Sequence, residues 1–219
     1  FSPAKSGRTN TQKNTYENVK ETMEVVINIV NFDIVQQMSL SSTAYDKDVD
    51  EFVKAGLTPI ASELIKPFRV KESPVQLECK VREVVELGDE GGSGNLIISE
   101  IVMVHIDEAI LGEDGTIDQH KIDLVGRMGG NYYVRASGDC LFEVPKPVRN
   151  LGIGVDQLPE PIRTSSILTG NDLGMLGNVE ELPEIPASAF SNNWETKQRE
   201  AQALLLDAKV DEAWKVLLS

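Results

Sequence analysis

The chain has 219 residues, 41% of them hydrophobic, which is enough for one generous domain or for one domain with a small appendage. Its formal net charge of -14 repels polyanions, so nucleic acids and anionic membrane surfaces are poor partners for the chain as a whole. Cys79 and Cys140 form no C-x-x-C pair, which argues against a disulfide framework and a zinc site and favours a cytoplasmic location. No apolar run approaches the roughly 18 residues of a membrane span.

The first predicted elements are a short helix and a buried strand. Helical spacing of apolar residues predicts a helix over 15–23, and Asn14 with Glu17 three residues later has the pattern of a capping box at its start. The run 24–30 is β-branched and almost continuously apolar, which predicts a strand buried on both faces.

The next elements are short helices followed by longer strands. Residues 33–38 and 48–54 predict two helices, the second ended by Gly56. Strands are predicted at 75–87 and 96–106, and the flexible glycine-rich loop between them indicates antiparallel pairing. This succession predicts a mainly β fold with helices, in which a β-barrel carries short helical inserts, rather than alternating βαβ units.

The chain changes in character after Pro145, where prolines punctuate a polar segment before helical spacing returns. We therefore expect three parts. They are a barrel domain at 1–150, an irregular proline-containing segment at 151–187 and a C-terminal helical extension at 188–219.

The segment Ser2–Thr15 is the first candidate for a binding site, because it is rich in cations and hydroxyl groups within an acidic chain. It runs directly into the predicted helix. Backbone N–H groups and the positive end of the helix dipole attract a phosphate, Arg8 and Lys13 can neutralise it, and Thr15 can donate to it. The alternative is a solvated loop followed by an ordinary helix cap, and composition alone favours this alternative.

Two weaker candidates follow along the chain. Gly129 and Gly130 would let the backbone approach a planar ligand beside Tyr132, although a turn that enters a strand explains the same residues. His105 alternates with apolar neighbours, so it either faces a pocket or is a half-buried strand residue. His120 is far from His105 in the sequence, so no histidine-based metal site is predicted.

Several motifs stand in one order over residues 1 to about 150: Phe1-Ser2-Pro3, Lys13-Asn14-Thr15 with Asn18, Val25-Val26-Ile27-Asn28, the stretch 50–59, Val70-Lys71-Glu72-Ser73-Pro74, Leu77-Glu78-Cys79, and Met128-Gly129-Gly130 with Tyr132. Together they resemble the flavin reductase-like FMN-binding proteins, which include the flavoredoxins. The resemblance implies an FMN-binding split β-barrel that dimerises and holds FMN non-covalently near the subunit interface. Members normally begin with further barrel strands and a segment that contacts the isoalloxazine ring, so an N-terminal part is expected to be missing before Phe1.

The resemblance also implies which residues contact the flavin. In that family the Lys-x-Thr segment and nearby basic residues bind the FMN phosphate. This role is therefore expected for Lys13 and Thr15, and also for Arg8 and Ser2. Contacts near the flavin ring are implied for a second group: Lys54, His105, Gly129 and Gly130. The family usually has Asp where Asn14 stands, and an amide can still cap the helix, so little loss is expected.

The implied function is that of an NAD(P)H-dependent flavin reductase-like oxidoreductase. In such a protein FMN accepts hydride from NADH or NADPH and passes electrons to free flavin or to a protein acceptor. No catalytic side chain and no metal are expected, and the expected assembly is a cytoplasmic homodimer. Two alternatives remain open: a flavoredoxin-like electron carrier without its own NAD(P)H activity, and an interaction module that has lost flavin and binds through its C-terminal helices.

Overall fold

Two units make up the part of the chain that the computed structural model describes, which is residues 1–146, 151–190 and 192–219. The first unit, Phe1–Phe142, contains helices α1 (Asn14–Thr22), α2 (Val35–Ser41) and α3 (Glu51–Ala55), and strands β1 (Glu24–Asn28), β2 (Pro59–Ile60), β3 (Arg69–Val70), β4 (Val75–Glu86), β5 (Asn95–Ile106), β6 (Leu124–Gly129) and β7 (Tyr132–Ala136). The second unit, Glu143–Ser219, contains helices α4 (Glu160–Arg163), α5 (Gly170–Gly177), α6 (Trp194–Leu206) and α7 (Val210–Leu218).

The largest sheet is antiparallel and has the strand order β1-β4-β5. β4 and β5 pair from Val75 opposite Ile106 to Glu86 opposite Asn95, with two register shifts on the way. The predicted antiparallel pairing of the two long strands is therefore confirmed. The prediction that the strand at 24–30 is buried on both faces is wrong, because β1 pairs with β4 alone among the described residues and is half-buried along its length.

Helix α1 packs against the sheet near the end of β4 and the start of β5. Val19 of the helix packs against Val81 and Ile97, and all three side chains are buried. Tyr16 donates a hydrogen bond to Glu86 at the end of β4, and this bond raises the pKa of Tyr16 and lowers the pKa of Glu86. These contacts fix the position of α1, and with it the position of its N-terminus, relative to both long strands.

Barrel closure is not present in the described residues. The three-stranded sheet, the β2-β3 pair and the β6-β7 pair are separate. β5 is an outer strand of its sheet, and Ile101, Val104 and Ile106 on it remain 53%, 46% and 41% exposed. The expected mixture of strands with short helices is present, whereas the closed split barrel stays a prediction.

The short helices of the first unit lie close to their predicted positions. α2 begins at Val35, directly after a 3-10 turn at Phe32–Ile34. α3 begins where the Asp50 carboxylate accepts the N–H of Phe52 at 2.8 Å. It ends at Gly56, which has a φ of 65°, a conformation that glycine adopts without steric cost.

A separate hydrophobic core holds the second unit together. Each of its four helices supplies at least one fully buried residue to this core, and the large ones are Ile162, Leu176, Leu205 and Leu217. α6 and α7 confirm the prediction of helices near the C-terminus. No helix in the described part of either unit is long and apolar enough to cross a membrane.

Helices α4 and α5 correct the prediction that 151–187 is irregular. The glycines of α5 lower its helix propensity, and for this reason the sequence of this segment does not predict a helix. Thr169 and Asp172 offset this loss by forming a reciprocal capping box at the start of α5, and Leu176 is fully buried. The expected domain boundary at residue 150 falls in the stretch 147–150, which lies outside the described residues.

Candidate functional site

The first residues of the chain run antiparallel to the start of β5. The N–H of Ile97 donates to the carbonyl of Phe1 at 2.8 Å, and the N–H of Lys5 donates to the carbonyl of Ser93 at 2.9 Å. Ser2 is exposed between these two backbone pairs. The cation-rich segment is therefore attached to the sheet by main-chain hydrogen bonds.

A tight turn follows this pairing. The N–H of Ser6 donates to the carbonyl of Thr11 at 2.9 Å, and the N–H of Asn10 donates back to the carbonyl of Ser6 at 2.9 Å. Asn10 has a φ of 53°, in the left-handed region that asparagine enters more readily than most residues. Arg8 lies at the exposed tip of this turn.

The N-terminus of α1 has no side-chain cap. Lys13 occupies the N-cap position, and the N–H groups of Asn14 and Thr15 have no hydrogen-bond partner in the described residues. The predicted capping box is wrong, because Asn14 lies inside the helix and its side chain donates instead to the carbonyl of Tyr45 at 3.5 Å. Unpaired N–H groups at the positive end of a helix dipole favour an anion.

Tyr45 links α1 to Lys54 of α3. The Tyr45 carbonyl accepts the Asn14 side chain, and the Lys54 ammonium lies 5.7 Å from the centre of the Tyr45 ring. That distance is within the range of a cation–π interaction. A second link joins the same segment to α1, because Lys47 lies 3.6 Å from Glu17. Tyr45 was missed by sequence reasoning, since nothing in its local spacing marks it.

The structure therefore brings together five of the eight predicted site residues. Ser2, Arg8, Lys13 and Thr15 belong to one segment that leads into α1, and Lys54 joins them through Tyr45. Lys13 is exposed at the uncapped N-terminus of α1 itself, and the exposed cations Arg8 and Lys54 belong to the loop that precedes α1 and to α3, in a chain whose net charge is -14. The arrangement can bind a phosphate through charge and through donated hydrogen bonds.

His105 lies at the other end of β5. Lys13 lies near the start of β5, because the side chain of the adjacent Gln12 accepts a hydrogen bond from the side-chain amide of Asn95, the first residue of that strand, at 2.8 Å. The ten residue-to-residue steps from Asn95 to His105 correspond to about 33 Å of strand. The two ends are too far apart for one flavin to contact both Lys13 and His105 of the same chain.

His105 belongs to a cluster around a fully buried carboxylate, Glu78. Its Nε2 lies 2.7 Å from Glu78 Oε1, and the two carboxylate oxygens also accept the N–H groups of Glu63 and Leu64, each at 2.8 Å. Burial alone would raise the pKa of Glu78, but the two backbone hydrogen bonds and His105 outweigh burial and lower it. Among the described residues, no group of three or more acidic, histidine or cysteine side chains is arranged to hold a metal ion.

Gly129 is the last residue of β6, and Gly130 begins the turn into β7. Their φ angles of 132° and 53° require glycine-like freedom, and Tyr132 beside them is 78% exposed. The base of this hairpin is joined to the residues after β1, where the N–H of Phe32 donates to the carbonyl of Asp123 at 3.0 Å. The glycine turn is thus open to solvent, and its hairpin is attached after β1 rather than to α1.

These features define a mixed strand and helix unit with an uncapped helix N-terminus, and comparison with known proteins places the unit in a family. Residues 6–123, more than half of the chain, match the flavin reductase like domain. The chain therefore belongs to this family, as its motifs indicated.

Two relatives from bacteria illustrate the extent of the match. An uncharacterised protein of Aquifex aeolicus is 36% identical over 135 residues, which cover 62% of this chain and 67% of that protein. An uncharacterised protein of Halalkalibacterium halodurans is 32% identical over 125 residues, which cover 56% of this chain and 59% of that protein. The matched region thus spans about three fifths to two thirds of these relatives.

Solved structures give the same result for the fold. A split barrel protein of Shewanella frigidimarina that has been proposed to be a flavin reductase is 36% identical, with a TM-score of 0.52 over 60% of this chain and 65% of that one. The nitrilotriacetate monooxygenase component B of Bacillus cereus is 26% identical, with a TM-score of 0.58 over 65% and 69%. Flavoredoxin of Desulfovibrio vulgaris is 26% identical, with a TM-score of 0.51 over 60% and 68%.

Proposed function

We propose that the chain is the FMN-binding part of a flavin reductase-like oxidoreductase, and that the N-terminus of α1 holds the FMN phosphate. One observation carries this proposal: the N–H groups of Asn14 and Thr15 are unpaired beside the exposed Lys13, at the end of the loop that carries the exposed Arg8. Membership of the flavin reductase like domain family supports a flavin as the ligand that carries this phosphate group.

The residues present fit a phosphate monoester. The helix end contributes the equivalent of roughly half a positive charge, and its two free N–H groups point along the helix axis. Lys13 and Arg8 add full charges, and the hydroxyls of Thr15 and Ser2 add neutral donors. Because all four side chains are exposed, the gain comes from several weak charge-assisted contacts rather than from one buried ion pair.

The ring end of the flavin is assigned to Lys54 and Tyr45 in this proposal, because Tyr45 contacts Asn14 of α1 and also lies beside the Lys54 ammonium. The flavin, when bound, supplies the hydride chemistry. Lys54 would stabilise negative charge on the reduced ring, so Lys54→Ala should lower the midpoint potential of the bound flavin. Lys71→Ala, which removes another exposed lysine of the same unit, is the control. An unchanged potential in Lys54→Ala would remove Lys54 from the ring site.

The electron donor, the assembly and the location belong to the same proposal. NADH or NADPH would reduce the flavin, the exposed Gly129-Gly130 turn would contact the flavin or the nicotinamide, and a homodimer in the cytoplasm would complete the site. His105 would contact a flavin only from the far end of β5, so its role depends on the dimer. The visible spectrum of the purified protein after addition of FMN tests flavin binding directly, and a protein that stays colourless after desalting would refute it.

A second function is favoured by the likeness to the Desulfovibrio vulgaris flavoredoxin. In this alternative the protein carries electrons but is not itself reduced by nicotinamide nucleotides. Stopped-flow mixing of the FMN-loaded protein with NADH and with NADPH separates the two functions. Bleaching of the flavin band within seconds supports the reductase, whereas a band that persists while dithionite bleaches it supports the carrier.

A further inference from the structure

Asn95, the first residue of β5, holds both ends of the cation-rich loop. Its side chain is fully buried, and its Nδ2 donates to the carbonyl of Pro3 at 3.0 Å and to Oε1 of Gln12 at 2.8 Å. Pro3 precedes the turn that carries Arg8, and Gln12 immediately precedes Lys13. One amide group therefore holds both ends of the loop, at Pro3 and at Gln12.

The other half of this amide has no partner. Oδ1 of Asn95 is buried and accepts no hydrogen bond from the described residues. A buried acceptor without a donor lowers stability, and an apolar side chain of similar size would avoid that loss. The contribution of Asn95 therefore lies in its two donated bonds, and both of these end on the loop that leads to α1.

The hairpin that precedes Asn95 approaches the same loop closely. A β-carbon on Gly91 would lie 3.0 Å from the carbonyl oxygen of Ser6, and a β-carbon on Gly94 would lie 2.6 Å from Oγ of Ser2. Lys5 adds a hydrogen bond from its ammonium to the carbonyl of Asp89 at 3.2 Å. The glycine-rich hairpin thus packs directly against the loop that leads to α1, rather than serving only as a flexible connection between β4 and β5.

The geometry assigns Asn95 as a positioning residue for the phosphate site. By fixing Gln12, it fixes Lys13 and the first turn of α1, and so it sets the preference of the protein for a phosphorylated flavin over riboflavin. This inference rests on the proposed function, because it takes FMN as the ligand. Asn95 is buried and is not expected to touch the flavin itself.

The test compares Asn95→Ala with Gln76→Ala in the full chain. Gln76 is also a buried amide on the same sheet, and it makes two hydrogen bonds, to the Ser73 carbonyl at 2.7 Å and from Arg69 at 3.0 Å. Gln76 lies at one end of the β4-β5 pair and Asn95 at the other. Gln76→Ala therefore also removes a buried, hydrogen-bonded amide from the first unit, but it leaves the loop before α1 unchanged.

Two readouts are measured for each variant. The first is the ratio of the riboflavin and FMN dissociation constants, from quenching of flavin fluorescence. Asn95→Ala should lower this ratio by about tenfold, the equivalent of one charge-assisted hydrogen bond, whereas Gln76→Ala should leave it within about twofold. The second is amide hydrogen exchange of peptides covering residues 1–13 without flavin, which should become faster in Asn95→Ala alone.

An unchanged ratio in Asn95→Ala overturns the positioning role, whether or not exchange changes. Faster exchange together with a lower ratio supports it. If the wild-type protein binds riboflavin as tightly as FMN, or binds neither, the proposed function fails. Exchange of residues 1–13 then still decides whether Asn95 holds the loop: wild-type exchange in Asn95→Ala overturns that contact, and faster exchange supports it.

Discussion

Glu78→Gln replaces the buried carboxylate of β4 with an amide of the same size. In the native protein the two oxygens of Glu78 accept the N–H groups of Glu63 and Leu64, each at 2.8 Å, and one oxygen lies 2.7 Å from His105 Nε2. An amide offers one acceptor oxygen and one NH2 group. One of the two backbone N–H groups would therefore face a donor, and the ion pair with Arg69, whose Nε lies 3.7 Å from Glu78 Oε1, would be lost.

The expected loss follows from these contacts. A buried N–H without an acceptor costs about 1–3 kcal/mol, and breaking a buried ion pair by removing one partner costs about 3–5 kcal/mol. Because Gln retains one of the acceptors, we expect the free energy of unfolding of the first unit to fall by about 3 kcal/mol, the low end of the second range.

The assay has to report on the first unit alone. Both tryptophans of the chain, Trp194 and Trp214, belong to the second unit, so their fluorescence is an internal control. Native-state hydrogen exchange of peptides from β4 and β5 gives the free energy of unfolding of the first unit. Glu83→Gln, at an exposed position of the same strand, should change it by less than about 0.5 kcal/mol. A change equally small in Glu78→Gln would refute the anchoring role of the carboxylate.

Three further predictions follow from the described contacts. Because the fold lowers the pKa of Glu78, its contribution is present above its ordinary pKa and is lost as the pH falls through the folded value, so the exchange-derived difference between wild type and Glu78→Gln should shrink in acid. Burial raises the pKa of the Cys79 thiol, whereas Cys140 is exposed, so one native thiol should react rapidly with a disulfide reagent, and Cys140→Ser should abolish that reaction. Gly91→Ala should displace residues 6–7 and weaken FMN binding, whereas Gly7→Ala, which meets open space, should not; equal affinities would contradict this.

Local sequence signals account for much of the first unit. The two long strands were predictable because their β-branched residues and the glycine-rich connection between them act locally. The end of α3 was predictable because a helix commonly ends at a glycine in the left-handed conformation, and Gly56 is that residue. α5 was missed because its stability depends on the Thr169 cap and on burial of Leu176 in a core assembled from distant helices, and that burial outweighs its low propensity.

Less of the candidate site was predictable. The cations and hydroxyls near Lys13 stand next to one another in the sequence, so their association was visible. Gln12 meets Asn95 across 83 residues, and Asn14 meets Tyr45 across 31, so neither contact leaves a local pattern. The capping prediction failed for the same reason, because a distant carbonyl takes the Asn14 side chain.

The affinity of the protein for FMN relative to riboflavin tests the central claim most directly. The two flavins differ in the phosphate alone, so their difference in binding free energy isolates the site at the N-terminus of α1. We predict that wild type prefers FMN and that Lys13→Ala weakens FMN binding by about tenfold while riboflavin binding changes by less than about twofold. Lys80→Ala, which removes an exposed charge from β4, should leave both unchanged. Equal affinities for the two flavins in wild type, or equal losses for both in Lys13→Ala, would contradict a phosphate site at this helix.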